Sequence, residues 1–224
     1  MTFSLVGRCA RTGMLGMVVT SSSPAVAARC AWARAGVGAV CTQNVTDPSL
    51  GPWVLDLMER GRPAADALDE VVAGAAHIEY RQLAVVDAQG RTASYSGART
   101  LGRHASSDGK DCLAAGNLLA DKKVTVAMVQ AFGRRPRDHL GGRLLDALRA
   151  GEAAGGEAGP VHSCGLLIVD RVSWPVTDLR VDWYHDPITE LARLWAIWRP
   201  QEADYVQRAL DPTAAPSYGV PGDE

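Results

Sequence analysis

A threonine directly after the start methionine is the residue of this chain best suited to chemistry. The sequence opens Met1–Thr2–Phe3, and a start methionine before a small residue is usually removed, which leaves Thr2 with a free α-amine. That residue then carries a nucleophilic hydroxyl and, on the same Cα, the base that accepts its proton. An α-amine titrates at about pH 7.7–8.0 in peptides, so much of it is the free base near neutrality. Thr2 is therefore a candidate nucleophile that needs no histidine, although most chains that begin Met-Thr make no use of it.

Two predicted strands place Thr2 beside a group of hydroxyls. Residues 3–21 are typical of an antiparallel hairpin with its turn at Cys9–Gly13, because β-compatible runs flank a glycine-containing turn. Pairing outward from that turn brings Thr2 opposite the end of the second strand. Ser21 and Ser22 are thus candidate substrate-binding residues. The alternative is that they are simply the polar end of a strand.

Four further polar residues follow or precede predicted strands. Arg34 precedes a small-residue strand at Ala35–Cys41, and Gln43 and Asn44, two further candidate substrate-binding residues, end it. A fixed cation such as Arg34 beside Thr2 would depress the pKa of the amine and could hold a substrate carboxylate; the alternative is a surface, ion-paired charge. Asn117 is a candidate oxyanion donor, with a strand-end residue as the alternative.

The remaining elements alternate between groups of strands and pairs of helices. This order favours an α+β fold in which two stacked, mainly antiparallel sheets are flanked by helix layers. Polar and glycine-rich segments are predicted as loops at Gly97–Lys110 and Gly151–Pro160, with Gly133 and Gly151 as helix caps. The predicted helices are about Pro52–Arg60, Pro63–Ala75, Asp121–Phe132, Asp138–Ala150 and one from Asp186, and the predicted strands are Arg81–Asp87, Arg91–Ser96, Cys112–Ala115, Cys164–Asp170 and about Leu179–Tyr184.

Composition excludes several classes of function. The 224 residues carry a net charge of −2 without a long basic run, which argues against a nucleic-acid partner. No apolar stretch reaches about 18 residues, so no membrane partner is expected. We expect a single domain over residues 1–210 and an extended or disordered tail over residues 211–224, where prolines recur.

Cysteine and histidine usage points to a cytoplasmic protein without a metal or an organic cofactor. The five cysteines lack CxxC spacing, which fits a reducing compartment. Cys41 and Cys164 lie in apolar strands, where a thiol is usually inert packing. The five histidines show no HxH or HExxH spacing, and no glycine-rich nucleotide motif is present.

Nearly the whole chain, from Met1 to about Leu194, resembles a bacterial family of uncharacterised proteins within the N-terminal nucleophile hydrolase superfamily. The stretches that carry the resemblance are MTFSLVGR, SSSPAVAARCAWARAGVGAVCTQNVTDPSLGP, HIEYRQLAVVDAQGR, AGNLLA and DLRVDWYHDPITELARL. The resemblance implies a four-layer αββα sandwich and an amide-cleaving nucleophile at Thr2. Arg34, Gln43, Asn44 and Asn117 lie within the matching stretches, but their roles are inferred from their chemistry.

The sequence therefore predicts an N-terminal nucleophile amidohydrolase that acts on a small or peptide-like amide. The alternative is a catalytically inactive member of the same fold that binds such a ligand. Small-residue strands and a C-terminal helix bearing Trp195 and Trp198 predict a homodimer or larger homo-oligomer.

Overall fold

The computed structural model describes residues 2–221, which form ten strands and seven α-helices. Two expectations fall partly outside this range: the removal of Met1 and the last part of the tail, residues 222–224. The strands are β1 (Thr2–Arg8), β2 (Leu15–Ser21), β3 (Ala31–Arg34), β4 (Gly38–Asn44), β5 (Arg81–Asp87), β6 (Thr92–Ser96), β7 (Ala105–Gly109), β8 (Cys112–Asn117), β9 (Ser163–Val169) and β10 (Thr177–Val181). The helices are α1 (Ala27–Cys30), α2 (Leu50–Glu59), α3 (Ala64–Gly74), α4 (Lys123–Arg134), α5 (Leu140–Ala153), α6 (Pro187–Trp198) and α7 (Glu202–Leu210).

The strands form two antiparallel sheets that stack face to face. One sheet has six strands in the order β10-β9-β2-β1-β8-β7, and the other has four in the order β3-β4-β5-β6. Helices α4, α5 and α6 cover the outer face of the first sheet, whereas α2 and α3 cover the outer face of the second. The α+β, four-layer αββα architecture predicted from the sequence is confirmed.

Strand alternation sends neighbouring residues of β1 into different layers. Phe3 and Leu5 pack towards the helices with Met128 of α4, while Val6 faces the other sheet and packs with Cys41. Successive side chains of a strand point to opposite faces, so Thr2 lies on the same inter-sheet face as Val6. The first strand therefore carries its candidate nucleophile into the space between the sheets.

The predicted β1–β2 hairpin is confirmed in both its turn and its register. Phe3 lies opposite Thr20 and Arg8 lies opposite Leu15. Continuing this register by one residue brings Thr2 level with Ser21, as the hairpin argument requires.

Three boundary predictions were wrong. The strand predicted from Ala35 begins only at Gly38, since Gly36 takes a φ of +72° in the turn between β3 and β4. The segment predicted as a loop after Gly97 contains the edge strand β7, whose polar residues lack a hydrophobic signal. Gly133 and Gly151, predicted as caps, lie inside α4 and α5.

Residues that follow α7 contact this helix. Helix α7 ends at Leu210, and the chain then folds back towards it. Arg208 donates from Nη2 to the carbonyls of Pro216 at 2.9 Å and Ser217 at 3.1 Å. Its guanidinium also lies over the Tyr218 ring, 3.9 Å from the centroid. Among the helices within residues 2–221, none has the length and apolarity to cross a membrane.

Candidate active site

The apolar space between the two sheets becomes polar at one end of the sandwich. Along each strand that enters this end, alternation continues the inward face with a polar residue: in β4, for example, Gln43 follows Cys41, and in β8 Asn117 follows Ala115. Thr2 is 5% exposed and the other members of this cluster are 0% exposed. The polar cluster consists of Thr2, Ser4, Ser21, Gln43, Gln82 and Asn117.

Thr2 lies between the two polar strand ends that the sequence analysis selected. It pairs with Asn117 across the β1–β8 contact. On its other side, Thr2 Oγ1 donates to Ser21 Oγ at 3.4 Å. The structure thus brings together three predicted residues from three neighbouring strands.

A chain of hydroxyls connects Thr2 to a positive charge. Ser21 Oγ and Ser23 Oγ lie 2.8 Å apart, and Arg29 Nη2 donates to Ser23 Oγ at 2.6 Å. Arg29 also donates to the carbonyl of Ala25 at 3.0 Å, which fixes the turn between β2 and α1. Arg29 therefore places a guanidinium in the hydrogen-bond chain that leads to Thr2. The sequence analysis did not select Arg29, because α1, which carries it, is only four residues long.

Side-chain amides join the two sheets directly behind Thr2. Gln82 Oε1 accepts from Gln43 Nε2 at 2.8 Å and from Asn117 Nδ2 at 3.2 Å. Ser4 donates to Gln43 Oε1 at 2.8 Å, while Gln82 Nε2 donates to the Gly116 carbonyl at 3.1 Å. Asn117 Oδ1, by contrast, is buried without a hydrogen-bond partner in the part of the chain that is described. Asn117 therefore has an unused acceptor beside Thr2, and its Nδ2 carries a second N–H beyond the bond to Gln82.

Arg34 does not lie beside Thr2, and that prediction was wrong. It pairs with Gly38 at the far end of β4, five residues before Gln43, which is about 17 Å along an extended strand. Its guanidinium bonds Asp56 at 2.8 Å and Glu59 at 2.7 Å on α2. The alternative of an ion-paired structural arginine is the one observed.

Asn44, predicted as a substrate-binding residue, instead holds the backbone of neighbouring loops. Its backbone takes a φ of +79°, which ends β4. Its Nδ2 donates to the Tyr80 carbonyl and its Oδ1 accepts from the Leu101 backbone at 3.2 Å. Because backbone groups occupy both ends of this amide, Asn44 anchors neighbouring loops and is not offered to a ligand.

Glu157 is a buried carboxylate that the sequence analysis placed in a flexible loop. It is 5% exposed and forms a bridge with Leu119, just beyond β8. Ser22 is a nearby donor, but within residues 2–221 neither carboxylate oxygen is held in good hydrogen-bond geometry. Burial raises the pKa of Glu157 to about 7, against the opposing effect of hydrogen bonds from Ser22.

The two glycines before Glu157 are the feature of the sequence that could have indicated its buried position. Gly155 and Gly156 take φ values of +118° and +57°, which non-glycine residues rarely adopt. They turn the chain after α5 so that the Gly156 carbonyl accepts from Ala120 at 3.1 Å, and Ala158 donates to the Leu118 carbonyl at 3.0 Å. The loop is thereby fastened to the end of β8.

The thiols in this region are packing groups. Cys41 is fully buried, its thiol donates to Gln43 Oε1 at 3.1 Å, and burial raises its pKa well above the usual range. Burial likewise raises the pKa of Cys164. Neither sulfur is poised as a thiolate nucleophile, in agreement with the sequence analysis.

A cavity of about 300 Å³ lies at the opposite end of the four-stranded sheet, lined in part by Met58 and Asp87. Asp87 Oδ1 accepts from the backbone of Gln89 at 2.9 Å and of Arg91 at 3.0 Å. Its Oδ2 accepts from Arg91 Nε at 2.6 Å and from the backbone of Ala64 at 3.2 Å. Since every acceptor site of this carboxylate holds the fold together, the polar cluster around Thr2 is the stronger candidate for chemistry.

Comparison with known proteins identifies a family and one similar structure. The family model described as "Family of unknown function (DUF1028)" matches residues 2–191. A crystal structure of a DUF1028 protein from Silicibacter pomeroyi is 27% identical, covers 92% of this chain and 90% of its own, and superposes with a TM-score of 0.84. No curated protein matches the chain.

More distant structures are Anbu proteins, described as ancestral beta-subunits. Anbu from Yersinia bercovieri is 11% identical, with a TM-score of 0.38 and coverage of 92% of this chain and 97% of that one. Anbu from Hyphomicrobium sp. strain MC1 is 12% identical, with a TM-score of 0.39 and coverage of 97% and 100%. At these scores the similarity supports no argument about activity.

Proposed function

Because this chain belongs to DUF1028, a family of unknown function, we propose an activity from the site itself: an N-terminal nucleophile amidohydrolase acting through Thr2. The observation that carries the proposal is the position of Thr2 at the start of β1. There it lies opposite Asn117 and 3.4 Å from the Ser21 hydroxyl, inside a buried polar cluster. A threonine in that position becomes a complete nucleophile–base pair once its amine is free.

The proposed reaction has two steps. The Thr2 amine takes the proton from the Thr2 hydroxyl, and Oγ1 attacks the substrate carbonyl to give a tetrahedral oxyanion. As the C–N bond breaks, the ammonium returns the proton to the leaving amine, and an acyl ester remains on Thr2. Water, deprotonated by the same amine, then attacks that ester, and the ammonium returns the proton to Thr2 Oγ1 as the acid product leaves. Asn117, or backbone amides near Gln43, would stabilise the oxyanion, and no metal or organic cofactor is required.

The substrate class that fits is a small or peptide-like amide. The flanking Ser21 and Ser22 hydroxyls can bind polar groups of such a molecule by hydrogen bonds, as can the second N–H of Gln43 Nε2, whose first N–H is donated to Gln82. We also propose a cytoplasmic location, in keeping with five free thiols, and a homodimer or larger homo-oligomer. Multi-angle light scattering that finds only monomer at micromolar concentration would contradict the oligomer.

Mass spectrometry and a Thr2 series test the activity. Untagged protein should lack Met1 by intact mass, and turnover of a panel of amides should be lost in Thr2→Ala and partly retained in Thr2→Ser. Thr12→Ala, in the turn at the other end of the same hairpin, is the control and should keep full turnover. Full activity in a chain that retains Met1 overturns the mechanism, since the Thr2 nitrogen is then an amide.

The burial of the site favours one alternative function. Thr2 is only 5% exposed, and the rest of the polar cluster is 0% exposed, so a substrate has little direct access. Such a site suits a non-catalytic protein that encloses a small amide or peptide ligand. Calorimetric binding of an amide without turnover, unchanged by Thr2→Ser, would favour this alternative.

A further inference from the structure

We propose that Glu157 binds the α-ammonium group of mature Thr2 and holds it beside the Thr2 hydroxyl. This makes Glu157 a positioning residue, and the inference rests on the proposed function of Thr2. The two-step reaction described above assigns no role to the Glu157 carboxylate.

Three contacts place Glu157 at the start of β1. Its bridge partner Leu119 lies two residues beyond Asn117, which pairs with Thr2. The preceding Gly156 packs over the ring of Phe3, where a Cβ would lie 3.5 Å from Cε1. Its third neighbour, Ser22, follows the strand β2 that flanks Thr2 on the other side. Glu157 is therefore attached to the strands on both sides of Thr2 and to the residue that follows it.

The carboxylate is buried without the donors that its charge requires. A buried ionised carboxylate is costly unless it is paired and hydrogen-bonded. Within residues 2–221, Glu157 forms no ion pair, and the neighbouring Ser22 holds neither oxygen in good hydrogen-bond geometry. A cation with several N–H donors is the group that would satisfy it.

The charged side chains on neighbouring elements do not supply that cation. Arg29 on α1 donates to Ser23, and Arg103 before β7 donates to the carbonyls of Leu119 and Ala120. Glu152 on α5 has the wrong sign. The amine that methionine removal creates on Thr2 has both the charge and the three donors.

Such a contact would fix the direction of the amine. An α-amine on a strand end rotates about the N–Cα bond, and Thr2 Oγ1 is held by Ser21 at 3.4 Å. A carboxylate on the opposite side of the nitrogen sets its distance from Oγ1 for both proton transfers. It also favours the charged amine, so removing the carboxylate should make the nitrogen easier to deprotonate.

Nitrogen NMR on protein labelled with ¹⁵N-threonine tests this directly. The Thr2 amine resonance is titrated in wild type, Glu157→Gln and the control Glu152→Gln, which makes the same chemical change on an exposed residue five positions earlier. Glu157→Gln should move the titration midpoint of the amine to lower pH by about one unit or more, and Glu152→Gln should leave it in place. In the amide assay, Glu157→Gln should lower kcat about tenfold with little change in KM.

A second variant guards against misfolding. Glu157→Asp keeps the negative charge on a side chain that is shorter by one methylene. The titration midpoint of the Thr2 amine should therefore stay closer to that of wild type, while kcat should still fall. If the amine of folded Glu157→Gln titrates at the same pH as that of wild type, the assignment of Glu157 is wrong. The same holds if Glu157→Asp and Glu152→Gln change kcat equally. Either result can occur while Thr2→Ala is inactive, so it leaves the proposed function of Thr2 in place. An active chain without a threonine amine resonance overturns the proposed function itself.

Discussion

Asn117 and Gln82 are hydrogen-bonded across the gap between the two sheets, with Asn117 Nδ2 donating to Gln82 Oε1 at 3.2 Å. The contact lies directly beside Thr2, the cross-strand partner of Asn117. The orientation of the amide next to the nucleophile is therefore set by the opposite sheet. We expect this hydrogen bond to affect both stability and activity. Replacing Gln82 should mainly change stability, and replacing Asn117 should mainly change activity.

Replacing Gln82 should mainly lower stability. Gln82→Met keeps the length of the side chain but removes the acceptor of Gln43 and Asn117, leaving two buried donors unpaired. We expect the free energy of unfolding to fall by about 2–4 kcal/mol, measured by urea denaturation. Gln89→Met, in an exposed turn, is the control and should change it by less than about 0.5 kcal/mol. Equal stability of the two variants would show that the network contributes little.

Replacing Asn117 should mainly lower activity. If its amide stabilises the oxyanion, Asn117→Ala should reduce kcat by about 10²–10³-fold, the usual effect of removing such a donor. Gln82 Oε1 still accepts from Gln43 in this variant, so we expect the protein to fold. Steady-state kinetics together with circular dichroism separate the two effects. Unchanged kcat in Asn117→Ala would show that Asn117 is a structural residue at the end of β8 and not the oxyanion donor.

Two arginines provide a matched comparison for the electrostatics of the site. Arg29→Gln removes the charged donor at 2.6 Å from Ser23, which is coupled to Ser21 and so to Thr2. Since a hydrogen bond to a charged group contributes about 1.5–3 kcal/mol, we expect kcat/KM to fall by roughly 10–100-fold. Arg34→Gln breaks only partly exposed ion pairs with α2 and should leave kcat/KM unchanged. A fall in kcat/KM in Arg34→Gln but not in Arg29→Gln would instead indicate that Arg34 is the cation that affects catalysis.

A buried carboxylate in α7 should make stability depend on acid pH. Glu202 is 5% exposed; its Oε1 accepts from Thr177 Oγ1 at 2.5 Å, and its Oε2 lies 3.2 Å from His139 Nε2. Burial raises the pKa of Glu202, but the bonds to His139 and Thr177 outweigh this effect, and the net pKa is lowered from its usual 4.5.

The sign of the effect follows from that lowering. A carboxyl whose pKa is depressed on folding stabilises the native state above its unfolded pKa and loses this contribution as pH falls through the folded pKa. Glu202→Gln should therefore lower the Tm at pH 7, and the difference from wild type should shrink below about pH 4. Differential scanning calorimetry across this range measures both. Glu190→Gln, an exposed surface pair with Arg193, is the control and should have little effect. A Tm difference for Glu202→Gln that does not change with pH would contradict the assignment.

Local patterns were sufficient to predict most of the fold and part of the site. The hairpin register followed from one turn, and it placed Thr2 next to Ser21 before any long-range contact was considered. Asn117 was found as a polar strand end, but its pairing with Thr2 depends on a contact between β1 and β8 that no local pattern encodes.

The residues that were missed depend on tertiary packing. Gln82 is the second residue of β5 and gains a role only when this strand stacks against β8, where it bonds Gly116. Glu157 reads as a loop residue because glycines surround it, and burial comes from contacts with β8. Arg34 was misplaced because both ends of a strand are polar, and its partners Asp56 and Glu59 come from a helix.

The position of β1 in the six-stranded sheet has a consequence for the timing of maturation. β1 lies between β2 and β8, and Asn117 is synthesised long after Thr2 leaves the ribosome. Until β8 arrives, the amino end is open to a methionine-removing peptidase; afterwards Thr2 is only 5% exposed. We therefore expect the proposed removal of Met1 to take place on the nascent chain, before β8 pairs with β1. Protein refolded with Met1 in place should resist the peptidase under conditions in which the unfolded chain is trimmed, as intact mass would show.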